Sequence, residues 1–391
     1  MKVALVYDRV NKWGGAERVL LALHEIWSQA PLFTSVYNSK TAGWAKVFPK
    51  IIPSFLQKFP WAKTSHEIFS PLMPIAFESL DLSGYYLIIS VTSEAAKGVL
   101  TSPHQLHLCY CLTPTRYLWS GYDDYFKTEK SRRLSRLLIS YLRKWDKIAG
   151  QRPDGYVAIS KTVQSRIKNY YHRESEVIYP PIDTDKFEIR NPKSESNTKY
   201  LPCSPRGVAG RQAGKILNTK YFFVVSRLVK YKKVDLVIET FNRLGWNLKI
   251  AGTGRETNSL KTKAKNNIEF LGQLTDQQLL SYYQNCEAVI FPQEEDFGIV
   301  PLEAQACGKP VVAYRAGGAV ETLIENRTGL FFDKQTVESL AAKLQSFKAA
   351  GYKAEDCREQ AEKFCKEKFM IEFKKYIEAE WQKHLKNIFT R

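Results

Sequence analysis

Residues 288–318 read AVIFPQEEDFGIVPLEAQACGKPVVAYRAGG. The stretch opens on a short apolar run, Ala288–Phe291, which predicts a buried parallel strand. Three acids follow, Glu294, Glu295 and Asp296, and Phe297-Gly298 closes their loop. Pro301 sits where a helix is expected to start, because a proline in the first turn forfeits no hydrogen bond. Leu302–Cys307 continues that helix and Gly308 stops it. Pro310–Ala313 supplies the next apolar strand, and Gly317-Gly318 the next turn into a helix. The pattern is a βαβ unit with acids at the carboxyl end of its first strand, the edge where open parallel sheets bind ligands. The helix after Gly298 offers free backbone N–H groups and the positive end of its dipole, which suit an anionic or hydroxyl-rich ligand. Glu295 in the loop and Glu303 in the helix can face one ligand from neighbouring heights.

The same strand–helix alternation extends in both directions. A chain of 391 residues exceeds one ordinary core, so two domains are expected. A hydrophobic share of 44% with 25% charged residues is that of a globular protein. No apolar run approaches the ~18–20 residues of a membrane span. The start, MKVALVYD, enters a strand without a cleavable signal pattern. Seven cysteines, an odd number without paired spacing, point to a reducing cytoplasm. Cys109 and Cys111 fall within a strand and read as core rather than metal ligands. The net charge of +18 fits nucleic acid, an anionic membrane or an anionic substrate, and no nucleic-acid-binding signature supports the first.

In the first half, Lys2–Tyr7 reads as a strand, and Gly14-Gly15-Ala16-Glu17 opens a helix over Arg18–Trp27. A glycine pair there lets backbone approach a phosphate or sugar. Tyr85–Val91 and Leu106–Cys111 are further strands, the second running into Leu112-Thr113-Pro114-Thr115-Arg116-Tyr117-Leu118-Trp119. Alternation places His107 with Cys109 and Cys111, away from Leu112. Trp44–Lys63 interleaves lysines with aromatics and contains no acid, a composition suited to a membrane interface or to an ordinary amphipathic surface. Ser131–Arg152 reads as a helix with seven basic residues and one acid, Asp146, and an apolar face of Leu134, Leu137, Leu138, Tyr141, Leu142 and Trp145. With the first segment it supports docking on anionic lipid.

Gly155–Ile159, Lys161–Tyr171 and Val177–Pro181 follow as strand, helix and strand. Asn191–Lys220 is polar, rich in Gly, Pro and Ser, and reads as a linker or insertion. Strand Tyr221–Val225 then leads into Arg227-Leu228-Val229-Lys230-Tyr231-Lys232-Lys233 and helix Val234–Leu244. Cations at a strand's carboxyl end can clamp a diphosphate through charge-assisted bonds. The chain continues through Leu248–Ala251, Ile268–Leu271 and helix Asp276–Asn285, with Glu321 expected to cap the Gly317-Gly318 turn. Helices near Val337–Ala349 and Ala354–Lys386 end it, the last expected to cross both domains.

Glu295-x-Phe297-Gly298-x-x-Pro301-Leu302-Glu303-Ala304 resembles the E-x7-E signature of the retaining family 4 glycosyltransferases. Gly14–Val19 resembles the family's glycine loop, the Arg227–Lys232 stretch its diphosphate loop, and Pro180–Phe187 its interdomain segment. Leu112–Trp119 is similar to the CHTPxRYLW string of mannosyltransferase-like members, except that Leu112 stands where those carry a histidine beside the transferred sugar. The resemblance implies an α/β protein of GT-B type: two Rossmann-like domains facing across a cleft, residues 1–190 on the acceptor side and 221–369 on the donor side. The C-terminal helix, from about 370 to 391, crosses back to the first.

The resemblance further implies transfer of a hexose, mannose favoured, from a nucleotide-diphosphate sugar such as GDP-mannose. The acceptor is a glycan or lipid-linked glycan in surface polysaccharide or glycolipid synthesis, with no metal or other cofactor. Arg227, Lys232 and Glu295 would carry the chemistry, the cations offsetting charge on the leaving diphosphate. Gly15, Phe297, Gly298, Ile299 and Glu303 would bind the donor, Glu303 through the ribose, and Arg116 and Tyr117 would lie on the acceptor side. The expected location is cytoplasmic, on the inner face of a membrane. A nucleotide-sugar epimerase of the same fold, or a binding homologue without turnover, are the alternatives.

Overall fold

The computed structural model describes residues 2–64, 66–187 and 220–389; residues 191–219 of the expected linker lie outside them. The first sheet contains β1 (Val3–Tyr7), β2 (Leu32–Thr34), β3 (Ile51–Pro53), β4 (Leu87–Thr92), β5 (Leu106–Cys111), β6 (Gly155–Ala158) and β7 (Glu176–Val177), in the order β3-β2-β1-β4-β5-β6-β7. The second contains β8 (Phe222–Val225), β9 (Leu248–Ala251), β10 (Ile268–Gly272), β11 (Val289–Phe291), β12 (Val311–Tyr314) and β13 (Gly329–Phe332), in the order β10-β9-β8-β11-β12-β13. All neighbours run parallel, as in Val3–Tyr7 against Leu87–Val91 and Val289–Phe291 against Val311–Ala313. Parallel strands covered on both faces are largely apolar, and β1, β4 and β5 are buried at every position, with Ser90, Thr92 and His107 as polar exceptions.

Each sheet reverses its winding once, between β1 and β4 and between β8 and β11. That reversal leaves a crevice at the carboxyl ends of the strands. The two domains are therefore Rossmann-like. The loops singled out from the sequence, after β1, β8 and β11, all lie at these reversals.

The C-terminal segment ties the domains together, but not as one helix over Ala354–Lys386. It forms two, Ala354–Glu362 and Lys366–Phe389. Between them Ile182 N donates to Phe364 O at 3.0 Å, and Ile182 bridges to Cys365. Phe364 packs on Tyr179 and Phe297, so side-chain packing at the domain boundary outweighs helix propensity there. The last helix buries Phe369, Phe373, Tyr376 and Ile377 in the first domain's core.

Other expectations need correction. β7 stops at Val177 rather than running to Pro181, since Pro180 and Pro181 have no N–H to give a ladder. The helix after the acidic loop spans Ile299–Ala306, starting before Pro301. Trp44–Lys63 contains the edge strand β3 and turns Phe48 and Leu56 into the core, leaving Phe59 and Trp61 as its exposed aromatics. The helix expected over Ser131–Arg152 spans Glu129–Ala149. Its apolar residues divide: Leu142 is buried, whereas Leu134 and Leu137 are 78% and 85% exposed. Asp146, the one acid of the Ser131–Arg152 stretch, is buried in an ion pair with Lys97 at 2.6 Å.

Candidate functional site

The loop after β8 carries Arg227 and Lys232, and the loop after β11 carries the acids. They meet. Lys232, nearly buried, pairs with Glu295, whose same oxygen accepts Gln293 Nε2 at 2.9 Å. Burial pushes the Glu295 carboxyl up, but the charge and hydrogen bond of Lys232, with help from Gln293 and Arg116, outweigh it and hold the group below the usual carboxylate range. Arg227 is exposed and donates through Nη2 to Tyr231 Oη at 2.5 Å. The Tyr231 ring lies under both Lys232 Nζ at 5.1 Å and the Arg116 guanidinium at 5.9 Å.

Two glycine turns from neighbouring strands support these loops. After β9, a Cβ on Gly254 would stand 2.1 Å from Leu228 O, and Leu228 N donates to Thr253 O at 3.0 Å. After β12, Gly318 N donates to Glu295 O at 2.8 Å, and a Cβ there would stand 2.1 Å from Phe297 O. Neither turn tolerates a side chain without displacing the loop that it carries.

Phe297 is 3% exposed and stacks on Tyr179, so its side chain is a packing group of the domain boundary, while Gly298 at φ +87° turns its backbone into the following helix. Gly15 lies against Ile299: a Cβ on it would approach Ile299 Cδ1 to 2.7 Å. The N-termini of the Gly15–Ile26 and Ile299–Ala306 helices thus meet at the boundary. Part of the first helix's anion capacity is spent internally, because buried Glu17 takes a hydrogen bond from its own amide and from Tyr7 Oη at 2.9 Å.

Glu303, 4% exposed, accepts Arg18 Nη2 at 2.6 Å on one oxygen and Tyr283 Oη at 3.0 Å on the other. Arg116 reaches Asp296 at 3.7 Å. Tyr117 sits apart from these groups, donating at 3.1 Å to Glu94, which pairs with Arg9. Burial raises the Glu94 carboxyl despite the opposing charge of Arg9. Leu112 is a partly buried apolar neighbour of the first core, and His107 hydrogen-bonds Ser90 at 2.9 Å with burial holding its pKa down to about 3. The structure gives no histidine in place of Leu112 from that strand.

Several partners escaped the sequence reading. Arg166 pairs with Asp296, and Ser160 Oγ donates to Asp296 O at 2.5 Å. Glu321 does not cap its own turn; it reaches across to accept Lys161 N at 2.8 Å, Thr162 N at 3.2 Å and Tyr179 Oη at 3.1 Å. No periodicity announces such contacts, since they join residues more than a hundred positions apart.

The family model Glycosyl transferases group 1 matches residues 209–364. Over that span the chain is similar to group 1 glycosyltransferases. An alpha-1,3/1,6-mannosyltransferase of Dictyostelium discoideum is 24% identical over 262 residues, 60% of this chain and 60% of the relative. A GDP-mannose-dependent monoacylated alpha-(1-6)-phosphatidylinositol monomannoside mannosyltransferase of Corynebacterium glutamicum is 29% identical over 210 residues, 49% of this chain and 52% of the relative. An uncharacterized glycosyltransferase of Methanocaldococcus jannaschii is 33% identical over 125 residues, 31% of this chain and 36% of the relative. The chain thus matches between about a third and three fifths of these relatives' length. Among solved structures, Anabaena HepE in complex with UDP superposes with TM-score 0.68 at 18% identity, covering 97% of this chain and 100% of that one. Sucrose-phosphate synthase of Thermosynechococcus elongatus gives 0.69 at 15%, covering 98% and 100%. These neighbours are of GT-B type, and this chain shares their two-domain fold.

Proposed function

We propose that the protein is a retaining hexosyltransferase that takes its sugar from a nucleotide-diphosphate donor, with GDP-mannose favoured, and passes it to a glycan or lipid-linked acceptor. The observation that carries the reading is the meeting of the β8 and β11 loops, with Lys232 against Glu295 and Arg227 beside them on the rim. A nucleotide diphosphate leaves with growing negative charge, and in this reading Arg227 and Lys232 would stabilise that charge without reorganising. Glu295 holds Lys232 in place and offers its carboxylate to the sugar's hydroxyls. In this reading the backbone N–H groups of Gly298 and Ile299, at the start of the Ile299–Ala306 helix, would serve the same ligand. Mannose rests on the names of the Dictyostelium and Corynebacterium relatives and on the Leu112–Trp119 string. UDP bound to the Anabaena neighbour supports a nucleotide-sugar donor in general.

Among the described residues no helix is long and apolar enough to cross a membrane. The Glu129–Ala149 helix exposes Leu134, Leu137 and Tyr141 beside Lys130, Arg133, Arg136 and Lys144. A basic rim around exposed apolar side chains suits the cytoplasmic face of an anionic bilayer, where a lipid-linked acceptor would be met.

The test is a panel of sugar nucleotides with and without acceptor lipids, read as released nucleotide diphosphate. GDP release from GDP-mannose is expected, and Arg227→Ala should reduce it ~10²- to 10³-fold. No release from any donor with any acceptor lipid overturns the proposal.

A further inference from the structure

Among the described residues, Arg18 is the cation that the first domain sends to the buried donor-side acid Glu303. It stands in the first turn of the Gly15–Ile26 helix, and its Nη2 spans the domain boundary to Glu303 Oε1 at 2.6 Å. Glu303 is a helix carboxylate with 5% of its side chain exposed, and Tyr283 Oη takes its second oxygen at 3.0 Å. The other terminal nitrogen, Arg18 Nη1, is buried and has no hydrogen-bond partner. A buried guanidinium nitrogen without an acceptor is costly. Glu303, itself held by Tyr283 Oη, fixes Nη2 and with it the plane of the fork that carries Nη1.

Its surroundings say what would satisfy it. Gly14 and Gly15 precede it at the first sheet's reversal, and Gly15 backs onto Ile299, so two helix N-termini adjoin it. A donor of this geometry, beside partial positive charge from two helices, selects an oxyanion over a neutral carbonyl. We propose that Arg18 is a donor-binding residue supplied by the acceptor-side domain, giving Nη1 to an oxygen of the nucleoside diphosphate while Nη2 stays on Glu303. The nucleotide site is then complete only when the two domains are together, and the Arg18–Glu303 ion pair is the contact that nucleotide binding reinforces.

This rests on the reading of the cleft as a sugar-nucleotide site, and the experiment separates the two. GDP, UDP and the matching nucleosides are titrated by calorimetry into the wild-type chain, Arg18→Gln and Arg18→Lys. Circular dichroism and thermal midpoints check that each variant is folded. Arg18→Gln should weaken the tighter nucleoside diphosphate by about 10- to 100-fold, the worth of a charge-assisted hydrogen bond, and Arg18→Lys should recover only part of it. A loss confined to the diphosphate assigns Nη1 to a phosphate oxygen. A parallel loss for the nucleoside shows that Nη1 does not select the charged oxygens and overturns the assignment. Wild-type binding that both variants keep within twofold overturns the role of Arg18 alone. If the wild-type chain binds neither GDP nor UDP, the donor-site reading and this inference fall together.

Discussion

Gly318→Ala tests whether the acidic loop is the donor site, because it moves that loop without removing any charged group. The added Cβ would stand 2.1 Å from Phe297 O and 2.3 Å from Phe297 Cα. An ordinary carbon–oxygen contact is ~3.3 Å, so the loop or the turn must give by about 1.2 Å. Both opposing atoms are backbone, and no rotamer change relieves them. The Phe297 ring cannot follow freely, wedged as it is against Tyr179 at 5.7 Å and Phe364 at 5.8 Å. The shift therefore falls on Glu295 to Gly298, whose tie to the turn, Gly318 N to Glu295 O, is 2.8 Å long. Misplacing reacting groups by ~1 Å costs on the order of 10²-fold in rate, about 2.7 kcal/mol of barrier. Overpacking of this kind also removes ~1–3 kcal/mol of stability, a drop of a few degrees in Tm. Gly84→Ala is the control, since a Cβ there meets nothing within 4 Å. The assay is kcat/KM for donor turnover, with Tm measured in parallel. A folded Gly318→Ala protein whose kcat/KM stays within threefold of wild type would refute the assignment of this loop to the donor.

Three further outcomes are expected. Glu295 titrates below its ordinary value of 4.5, so its pairing with Lys232 is fully present above that value and is lost as pH falls through the depressed one. The Tm difference between wild type and Glu295→Gln should thus be flat from about pH 8 to about pH 5 and narrow below that; a difference that fades already near pH 6 contradicts the assignment. Glu321→Ala removes the acceptor for the Lys161 and Thr162 amides and should cost about 0.5–2 kcal/mol in urea denaturation, with faster hydrogen exchange at those two amides. Lys130→Glu with Arg133→Glu and Arg136→Glu should weaken partition onto phosphatidylglycerol vesicles by roughly 1 kcal/mol per residue or more, leaving nucleotide affinity unchanged; unaltered vesicle binding removes this helix from the membrane proposal.

What the sequence disclosed and what it withheld divide along a physical line. The loops carrying Arg227, Lys232, Glu295 and Gly298 are junctions between one strand and the helix that follows it, so their position is dictated within a dozen residues. Apolar strand, polar loop and capped helix are local signals, and the crevice follows once the strand order is 3-2-1-4-5-6, extended by β7 in the first half. The strand hidden in Trp44–Lys63 was masked because an edge strand of three residues is too short to show alternation. The break in the C-terminal helix leaves no local mark either: its cause is Ile182 pairing with Phe364 and Cys365, from the other side of the chain.

The contacts that join the halves were illegible for a related reason, and they alter how the local motifs are to be understood. Glu321 stands in the first turn of its own short helix, where an acid is ordinarily stabilised by the local dipole. In the folded chain its carboxylate serves the N-terminus of the Lys161–Tyr171 helix instead, so one acid satisfies donors that its own sequence neighbourhood never predicted. Arg18 follows the same logic, reading as the polar face of an amphipathic helix until the second domain brings Glu303 to it. Asp296, flanked by Arg166, Arg116 and Ser160, completes a set of acids on the donor-side domain that are each held by a group from the acceptor side. Charge is thus placed so that the loops at the second sheet's reversal are anchored on one flank by glycine turns of their own domain and on the other by cations and amides of its neighbour. A change of angle between the domains would release Glu303, Asp296 and Glu321 together, which ties the flank of the acidic loop, though not the Lys232–Glu295 pair itself, to the acceptor-side domain.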